Sequence, residues 1–245
     1  MTVTKSNVSF IDQLIAEEAN GQWGIPFGQW IQLTGKVGSG KTTLGVQLLD
    51  GFSKNPDVEI WHCDFEMREP GARRLYKSIG AKWNPNFAEP EFPLTLLTNI
   101  YTEADRLALL GRKLVVLVDA FQSLIPSRKL ADQIKLAERI KNSWKDHPNL
   151  LLITVNHLNK AGQVGGAAQV AQWGDVIISV QRKYGFTYLE SPKNRCQAPG
   201  AWDVMKLTRQ DGLGFVPSAE PDFISSMGLV VFVRDQLAKQ KRPTT

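Results

Sequence analysis

Cysteine and histidine are scarce in this chain. Its 245 residues include three histidines and two cysteines, Cys63 and Cys196, which stand far apart. No paired spacing typical of a zinc site occurs, and no disulfide framework is expected. The sequence therefore predicts a protein of a reducing compartment, and we expect a cytoplasmic location.

Long apolar runs and a strong charge imbalance are also missing. No stretch approaches the roughly 20 residues of a membrane-spanning helix, and the N-terminus lacks the basic-then-apolar pattern of a secretory signal. Membrane association is therefore not expected. The net charge of +5 and the pI of about 9.2 favour a polyanionic partner only mildly.

One glycine-rich stretch, GKVGSGKTT at residues 35–43, fits the phosphate-binding pattern G-x-x-x-x-G-K-[ST]. A β-prone apolar run precedes it, and a helical apolar pattern follows. Glycines let several N–H groups point at one anion, and the helix N-terminus adds positive potential. Lys41 would reach the outer phosphates, and the Thr42 hydroxyl would hold Mg²⁺. The sequence thus predicts binding of a nucleoside triphosphate by Gly35, Lys36, Val37, Gly38, Ser39, Gly40, Lys41, Thr42 and Thr43.

Two further apolar runs end in acids. The run at 58–63 is followed by Asp-Phe-Glu, and the run LVVLV at 114–118 is followed by Asp119. Ligands bind beyond the carboxyl ends of strands in open α/β sheets. Glu66 is therefore a candidate to activate an attacking water, although it could instead be a helix-start acid before Pro70. Asp119 is expected in the Mg²⁺ shell.

A third buried run, at 150–155, leads into a polar tip. Thr154, Asn156 and His157 are placed there by the sequence and could sense the γ-phosphate. The alternative for His157 is an ordinary loop histidine. Residues 158–169, which follow, are small, polar and glycine-rich, as in mobile loops.

The order of predicted elements indicates an α/β fold. βα units dominate the first two-thirds and strands dominate the last third, so we expect a twisted, mostly parallel β-sheet flanked by helices, with an antiparallel C-terminal extension. Besides the elements above, helices are predicted at 10–19, 70–79, from Thr102 to about 110, and 130–144, and strands at 94–98, 176–181, 186–191, 202–207 and 229–233.

These motifs together resemble the RecA-like ATPases, and most closely their RadA branch, over residues 10–216. The phosphate loop is shared by many families, whereas the later motifs discriminate more. They are Asp64-x-Glu66, the span VDAFQSL at 118–124, Asn156-His157, Lys193-Asn194-Arg195 and Asp211-Gly212-Leu213.

The resemblance implies a division of labour between neighbouring copies. Lys193 and Arg195 would reach the nucleotide of the next subunit, unless they belong to a basic surface hairpin. Single-stranded DNA would be held by Arg128, Lys129 and Lys160, mostly through phosphates. A homo-oligomer, either a hexameric ring or a filament, is implied. The catalytic set would be Lys41, Glu66, His157, Lys193 and Arg195, with Thr42 and Asp119 holding the metal.

The chain also departs from the RadA pattern. It has neither the cysteines for the N-terminal zinc module nor the length for the C-terminal protease-like domain. Cys196 and Gln197 follow the basic triplet where an aromatic residue and glycine are usual. The remaining resemblance is to single-domain RadA-like recombinases of phages and archaea. We therefore expect an N-terminal segment (1–28), an ATPase core (29–216) and a C-terminal strand, helix and basic tail (217–245).

Three functional hypotheses remain open at this point. The first is a single-stranded-DNA-dependent recombination ATPase, with ATP at subunit interfaces and recombination or replication proteins as possible partners. The second is a ring DNA helicase of the DnaB type. The third is a KaiC-like regulatory ATPase that acts on proteins without DNA, which the modest charge allows.

Overall fold

The computed structural model describes residues 3–15, 24–81, 86–87, 93–124, 130–144, 147–158, 173–196 and 204–218. Within these ranges the helices are α1 (Ser9–Ile15), α2 (Lys41–Phe52), α3 (Arg68–Ser78), α4 (Pro93–Leu109) and α5 (Leu130–Trp144), with a 3₁₀ turn at Phe121–Leu124. The strands are β1 (Val3–Thr4), β2 (Ile25–Pro26), β3 (Gln29–Gly35), β4 (Val58–Asp64), β5 (Asn86–Phe87), β6 (Lys113–Asp119), β7 (Leu150–His157), β8 (Val176–Lys183), β9 (Phe186–Asn194), β10 (Val204–Gln210) and β11 (Gly214–Pro217).

The main sheet of the described ranges has nine strands in the order β11-β10-β9-β8-β3-β7-β6-β4-β5. The six strands from β8 to β5 run parallel to their neighbours. Strands β9, β10 and β11 continue the sheet as an antiparallel meander. The predicted α/β fold, mostly parallel with an antiparallel C-terminal extension, is confirmed.

Alternate residues of the central strands enter two separate hydrophobic cores. In β6, Val115 and Leu117 pack in the core that includes α1, α2 and α3. Leu114, Val116 and Val118 pack in the other core, with α4 and α5. Side chains of a strand alternate between faces, so a sheet covered on both sides requires the continuous apolar runs seen in the sequence.

The carboxyl ends of four parallel strands meet at one edge, which we call the carboxyl edge. Gly35 at the end of β3 lies opposite His157 at the end of β7. Asp119 at the end of β6 lies opposite Asp64 on one side and Val155 on the other. The register therefore brings the predicted motifs of β3, β4, β6 and β7 to the same level.

The predicted strand at 94–98 is wrong, because these residues form the start of α4. Thr102 therefore does not open a helix, and its pairing with Asp105 is not a capping box. Proline suits the first turn of a helix, and the buried positions repeat with helical spacing. Those positions are Leu96, Leu97, Ile100, Ala104 and Leu107.

The antiparallel extension folds back onto the helix that follows the phosphate loop. The sequence did not predict β11, whose Phe215 exchanges two hydrogen bonds with the Gln47 side chain of α2, each 2.8 Å long. The turn between β10 and β11 contacts α3, where Gly212 N donates to Ser78 O at 3.0 Å. The predicted strand at 229–233 lies outside the described residues. Among the helices that are described, none has the length and hydropathy to cross a membrane.

Candidate nucleotide-binding site

The glycine-rich stretch forms a loop between β3 and α2, with Gly35 ending the strand and Lys41 beginning the helix. A Cβ at Gly35 would lie 2.3 Å from the Val180 carbonyl oxygen. Gly40 has a φ of 101°, and a Cβ there would lie 2.5 Å from the Phe215 ring. The loop therefore lies closely packed between β8 and β11. A side chain at Gly35 or Gly40 would clash, so both positions require glycine.

Lys41 directs its charge into this loop. Its ammonium donates to the carbonyl oxygens of Gly35 and Lys36, at 2.9 Å each, and the residue is buried. Burial lowers the pKa of Lys41, and the nearby charges of Asp119 and Glu66 oppose that shift. A buried cation in a glycine-rich loop at a helix N-terminus is suited to a polyphosphate.

Thr42 and Asp119 are joined across the carboxyl edge. The Thr42 hydroxyl donates to Asp119 Oδ2 at 2.6 Å. Burial raises the pKa of Asp119 to about 6, while the bond from Thr42 lowers it. Among the described residues, its buried Oδ1 atom has no hydrogen-bond partner. An orphaned carboxylate oxygen beside a hydroxyl is a hard-oxygen donor set that fits Mg²⁺.

The magnesium site would depend on the nucleotide. The part of the chain that the structure describes contains no group of three or more His, Cys, Asp or Glu side chains that could hold a metal. Thr42 and Asp119 would therefore share Mg²⁺ with phosphate oxygens and water, as is usual for this ion.

Glu66 and His157 meet at the same edge. His157 Nε2 lies 2.5 Å from Glu66 Oε1, and both side chains are partly exposed. The hydrogen bond with His157 lowers the pKa of Glu66, and burial opposes this effect. Asp64 fixes the turn before α3, because its Oδ1 accepts from the backbone N–H groups of Glu66 and Met67 at 2.8 Å each.

The side chains of Thr154 and Asn156 are bonded inside the sheet and do not face the site, contrary to the prediction from sequence. Both are fully buried. Thr154 Oγ1 accepts from Trp30 Nε1 at 3.0 Å, and Asn156 Nδ2 donates to Gln32 Oε1 at 3.3 Å. Strand β7 extends to His157, so only that residue of the three lies at the surface of the site.

Lys193 and Arg195 lie at the opposite end of the sheet, which we call the amino edge. Arg195 N donates to Asp175 O, and Asp175 N donates to Trp30 O. Trp30 and Gly35 are five positions apart on β3, a separation of about 16 Å. The basic triplet therefore does not join the phosphate loop of its own chain.

A cleft of about 570 Å³ opens beside the phosphate loop, on the side of β8. It is separate from the Glu66–His157 pair and carries exposed cations at the end of β8. Its polar and charged lining includes Lys36, Ser39, Gln181, Arg182 and Lys183. The predicted DNA-contacting residues Arg128, Lys129 and Lys160 lie outside the described residues.

Four residues were missed from sequence, two beside the phosphate loop and two at the amino edge. Gln47 and Phe215 join α2 to β11, and Lys141 and Asp175 form an ion pair of 2.5 Å at the amino edge. A lone glutamine or lysine on a helix carries no pattern. The acid at 175 directly precedes a buried strand, which is the only signal that could have singled it out.

No family profile and no curated protein sequence matches this chain. Solved structures do align with it. The KaiC-like protein PH0186 of Pyrococcus horikoshii OT3 aligns with a TM-score of 0.66 at 17% identity, over 89% of this chain and 99% of that one. The ATPase domain of G40P gives 0.67 at 14% identity, over 89% and 92% of the two chains. Flagellar accessory protein FlaH of Methanocaldococcus jannaschii gives 0.60 at 13%, over 89% and 98%.

The chain therefore has the RecA-like α/β fold that these solved structures share. At these identities the alignments establish the fold alone, and they do not favour the RadA branch over other branches.

Proposed function

We propose that this protein hydrolyses ATP at interfaces between copies of itself, and that single-stranded DNA stimulates the reaction. The observation that carries the ATPase part is the convergence of two pairs, Thr42–Asp119 and Glu66–His157, beside Lys41 at one edge of the sheet. A RecA-like fold with these groups at its strand ends is suited to phosphoryl transfer.

Each residue of the carboxyl edge has a distinct role in this proposal. Mg²⁺ would neutralise phosphate charge, held by Asp119 and the Thr42 hydroxyl. Lys41 binds the outer phosphates. Glu66 accepts a proton from the attacking water, because its lowered pKa keeps it ionised near neutrality. His157 holds the Glu66 carboxylate and can respond to the terminal phosphate.

The position of Lys193 and Arg195 supports an interface site. The backbone of Arg195 bonds to Asp175, which bonds to Trp30, and Trp30 is about 16 Å along β3 from the phosphate loop. Lys193 pairs with Ile177 at the level of Gln32, and β8 separates it from β3. In a head-to-tail assembly the amino edge of one copy meets the carboxyl edge of the next. Lys193 and Arg195 then supply positive charge to a nucleotide that their own chain does not bind.

The DNA part of the proposal rests on the motif resemblance and on positive charge. The chain has a net charge of +5, and Arg182 and Lys183 are exposed at the end of β8. The test is ATPase activity measured with and without single-stranded DNA at low and at moderate salt. Stimulation that weakens with salt supports it, and unchanged turnover with no DNA retention contradicts it.

The structural match to a KaiC-like protein favours one alternative, a regulatory ATPase that acts on protein partners. It predicts ATP turnover that DNA does not alter. A third possibility is a ring helicase, which must use ATP hydrolysis to separate DNA strands. An assay with a forked duplex tests for this activity.

A further inference from the structure

One buried acid organises the amino edge. Asp175 has a side chain only 6% exposed. Its Oδ2 accepts the backbone N–H of Trp30 at 3.1 Å, and its Oδ1 contacts both Lys141 Nζ, at 2.5 Å, and Arg195 Nη1, at 3.3 Å. Its backbone also bonds to Trp30 and Arg195. Asp175 is thus fixed at five points and fixes two cations in return.

Among the residues that the structure describes, the cations Lys141, Lys193 and Arg195 share one carboxylate, that of Asp175. Burial lowers the pKa of Lys193, the charges of Arg195 and Lys141 lower it further, and the charge of Asp175 raises it. Lys141, on α5, therefore belongs to the same electrostatic cluster as the basic triplet. A cluster with surplus positive charge is stabilised by an incoming anion.

The cations also remain accessible. The side chain of Arg195 is 55% exposed and that of Lys141 is 23% exposed. Asp175 Oδ1 makes one contact with each, whereas an ammonium has three donors and a guanidinium has five. Holding both side chains before an anion arrives reduces the conformational entropy lost on binding.

We propose that Lys141 is a third anion-binding residue of the amino edge, beside Lys193 and Arg195, and that Asp175 is the positioning residue of this cluster. The anion is the triphosphate bound at the carboxyl edge of an adjacent copy. This inference rests on the proposed function, and it assigns roles to two residues that the motifs leave out.

The variants separate this role from a structural one. Lys141→Ala removes the cation, and Lys141→Arg restores a charge that can still reach Asp175. Lys135→Ala, at an exposed position of the same helix, is the matched control. Asp175→Asn keeps the shape and removes the charge that orders the cluster. Melting temperature and binding of a non-hydrolysable ATP analogue are measured for every variant.

The deciding experiment mixes subunits. Lys141→Ala copies have an intact phosphate loop, and Lys41→Ala copies have an intact amino edge. Lys141→Ala alone is expected to lose about 10-fold or more in turnover while still binding the analogue. An equal mixture should recover about a quarter of the wild-type rate, because a quarter of random head-to-tail interfaces pair the two intact halves. Asp175→Asn should be complemented in the same way.

The outcomes are distinguishable. Lys141→Ala with wild-type turnover, or a loss that mixing does not recover, overturns the inference and leaves ATP hydrolysis at the carboxyl edge standing. Wild-type protein that binds the analogue but neither assembles nor hydrolyses ATP contradicts the proposed function, and the inference with it. The inference is also overturned if Lys141→Ala loses no more turnover than the control variant Lys135→Ala.

Discussion

His157 and Glu66 are joined by a 2.5 Å contact that spans the end of β6. One residue comes from β7 and the other from the turn after β4, and β6 lies between those strands. Asp119 ends β6, and its pKa responds to both of them. The contact therefore links a candidate base, a candidate sensor and a candidate metal ligand over one strand end.

Replacing the base should separate binding from turnover. Glu66→Gln keeps the size of the side chain and removes its proton acceptor, so we expect turnover to fall by about 10²- to 10⁴-fold with nucleotide binding retained. Steady-state ATPase and analogue titration measure the two quantities. Glu69→Gln is the control, because Glu69 pairs with Arg73 on α3 instead. Turnover close to that of wild type in Glu66→Gln would exclude Glu66 as the base.

His157 should set the acid limit of the reaction. Its hydrogen bond lowers the pKa of Glu66, and a base is active only when it is deprotonated. His157→Ala should therefore raise that pKa and move the acid limb of the turnover profile to higher pH. The profile is measured at saturating ATP and Mg²⁺. A limb that stays in place, or moves to lower pH, contradicts this assignment.

Asp119 should make magnesium-dependent nucleotide binding sensitive to pH. Its pKa is raised from 3.8 to about 6, so the folded, metal-free protein keeps a proton that the unfolded chain has already released over this interval. This carboxyl's contribution to stability without metal therefore declines as pH rises through that interval. Mg²⁺ requires the carboxylate, so its binding should instead strengthen, by up to about 10-fold per pH unit below pH 6.

Comparison with Asp119→Asn isolates this titration, since the nucleotide's own protonation is common to both proteins. Melting temperature and Mg²⁺-dependent analogue binding are followed from pH 5 to pH 8. Wild type should bind the analogue with Mg²⁺ more tightly than Asp119→Asn, and this difference should shrink as the pH falls. A difference that is the same at every pH would rule out Asp119 as the titrating ligand.

Local patterns were enough to predict the central parallel strands β3, β4, β6 and β7 and the acids that end β4 and β6. A buried strand has a continuous apolar sequence, and the acid that follows it marks its carboxyl end. Residues 114–118 and Asp119 are an example. The phosphate loop likewise combines a strand, glycines and a helix start in nine consecutive residues, 35–43. These signals depend on residues that are adjacent in the chain.

What could not be predicted depends on contacts between distant segments. Residues 94–98 suit a strand when they are considered alone, whereas in the structure Leu96 and Leu97 enter the core as part of the longer helix α4. Thr154 looked like a residue of the strand tip, but its strand runs on to His157. The pairing of Asp175 with Lys141 joins residues 34 positions apart, and no periodicity encodes such a contact.

Phe215 should couple the antiparallel extension to the phosphate loop. It is buried and lies against Gly40, and Gln47 holds its backbone. Phe215→Ala leaves a cavity beneath the loop, so we expect a loss of about 3–5 kcal/mol in unfolding free energy and weaker nucleotide binding. Leu213→Ala, at an exposed position of the same hairpin, is the control. Equal behaviour of the two variants in urea unfolding and analogue titration would contradict the coupling.

Thr154 should be a structural residue and not a nucleotide contact. Its hydroxyl is the acceptor for the indole N–H of Trp30, which is fully buried. Thr154→Val keeps the shape and leaves that N–H without its partner, at a cost of about 1–3 kcal/mol. Urea unfolding should show this loss, and the partly exposed Thr208→Val should show little. Because Thr154 lies beneath the carboxyl edge, analogue binding by the folded variant should match wild type. Weakened analogue binding at unchanged stability would instead show that Thr154 belongs to the nucleotide site, as the sequence alone predicts.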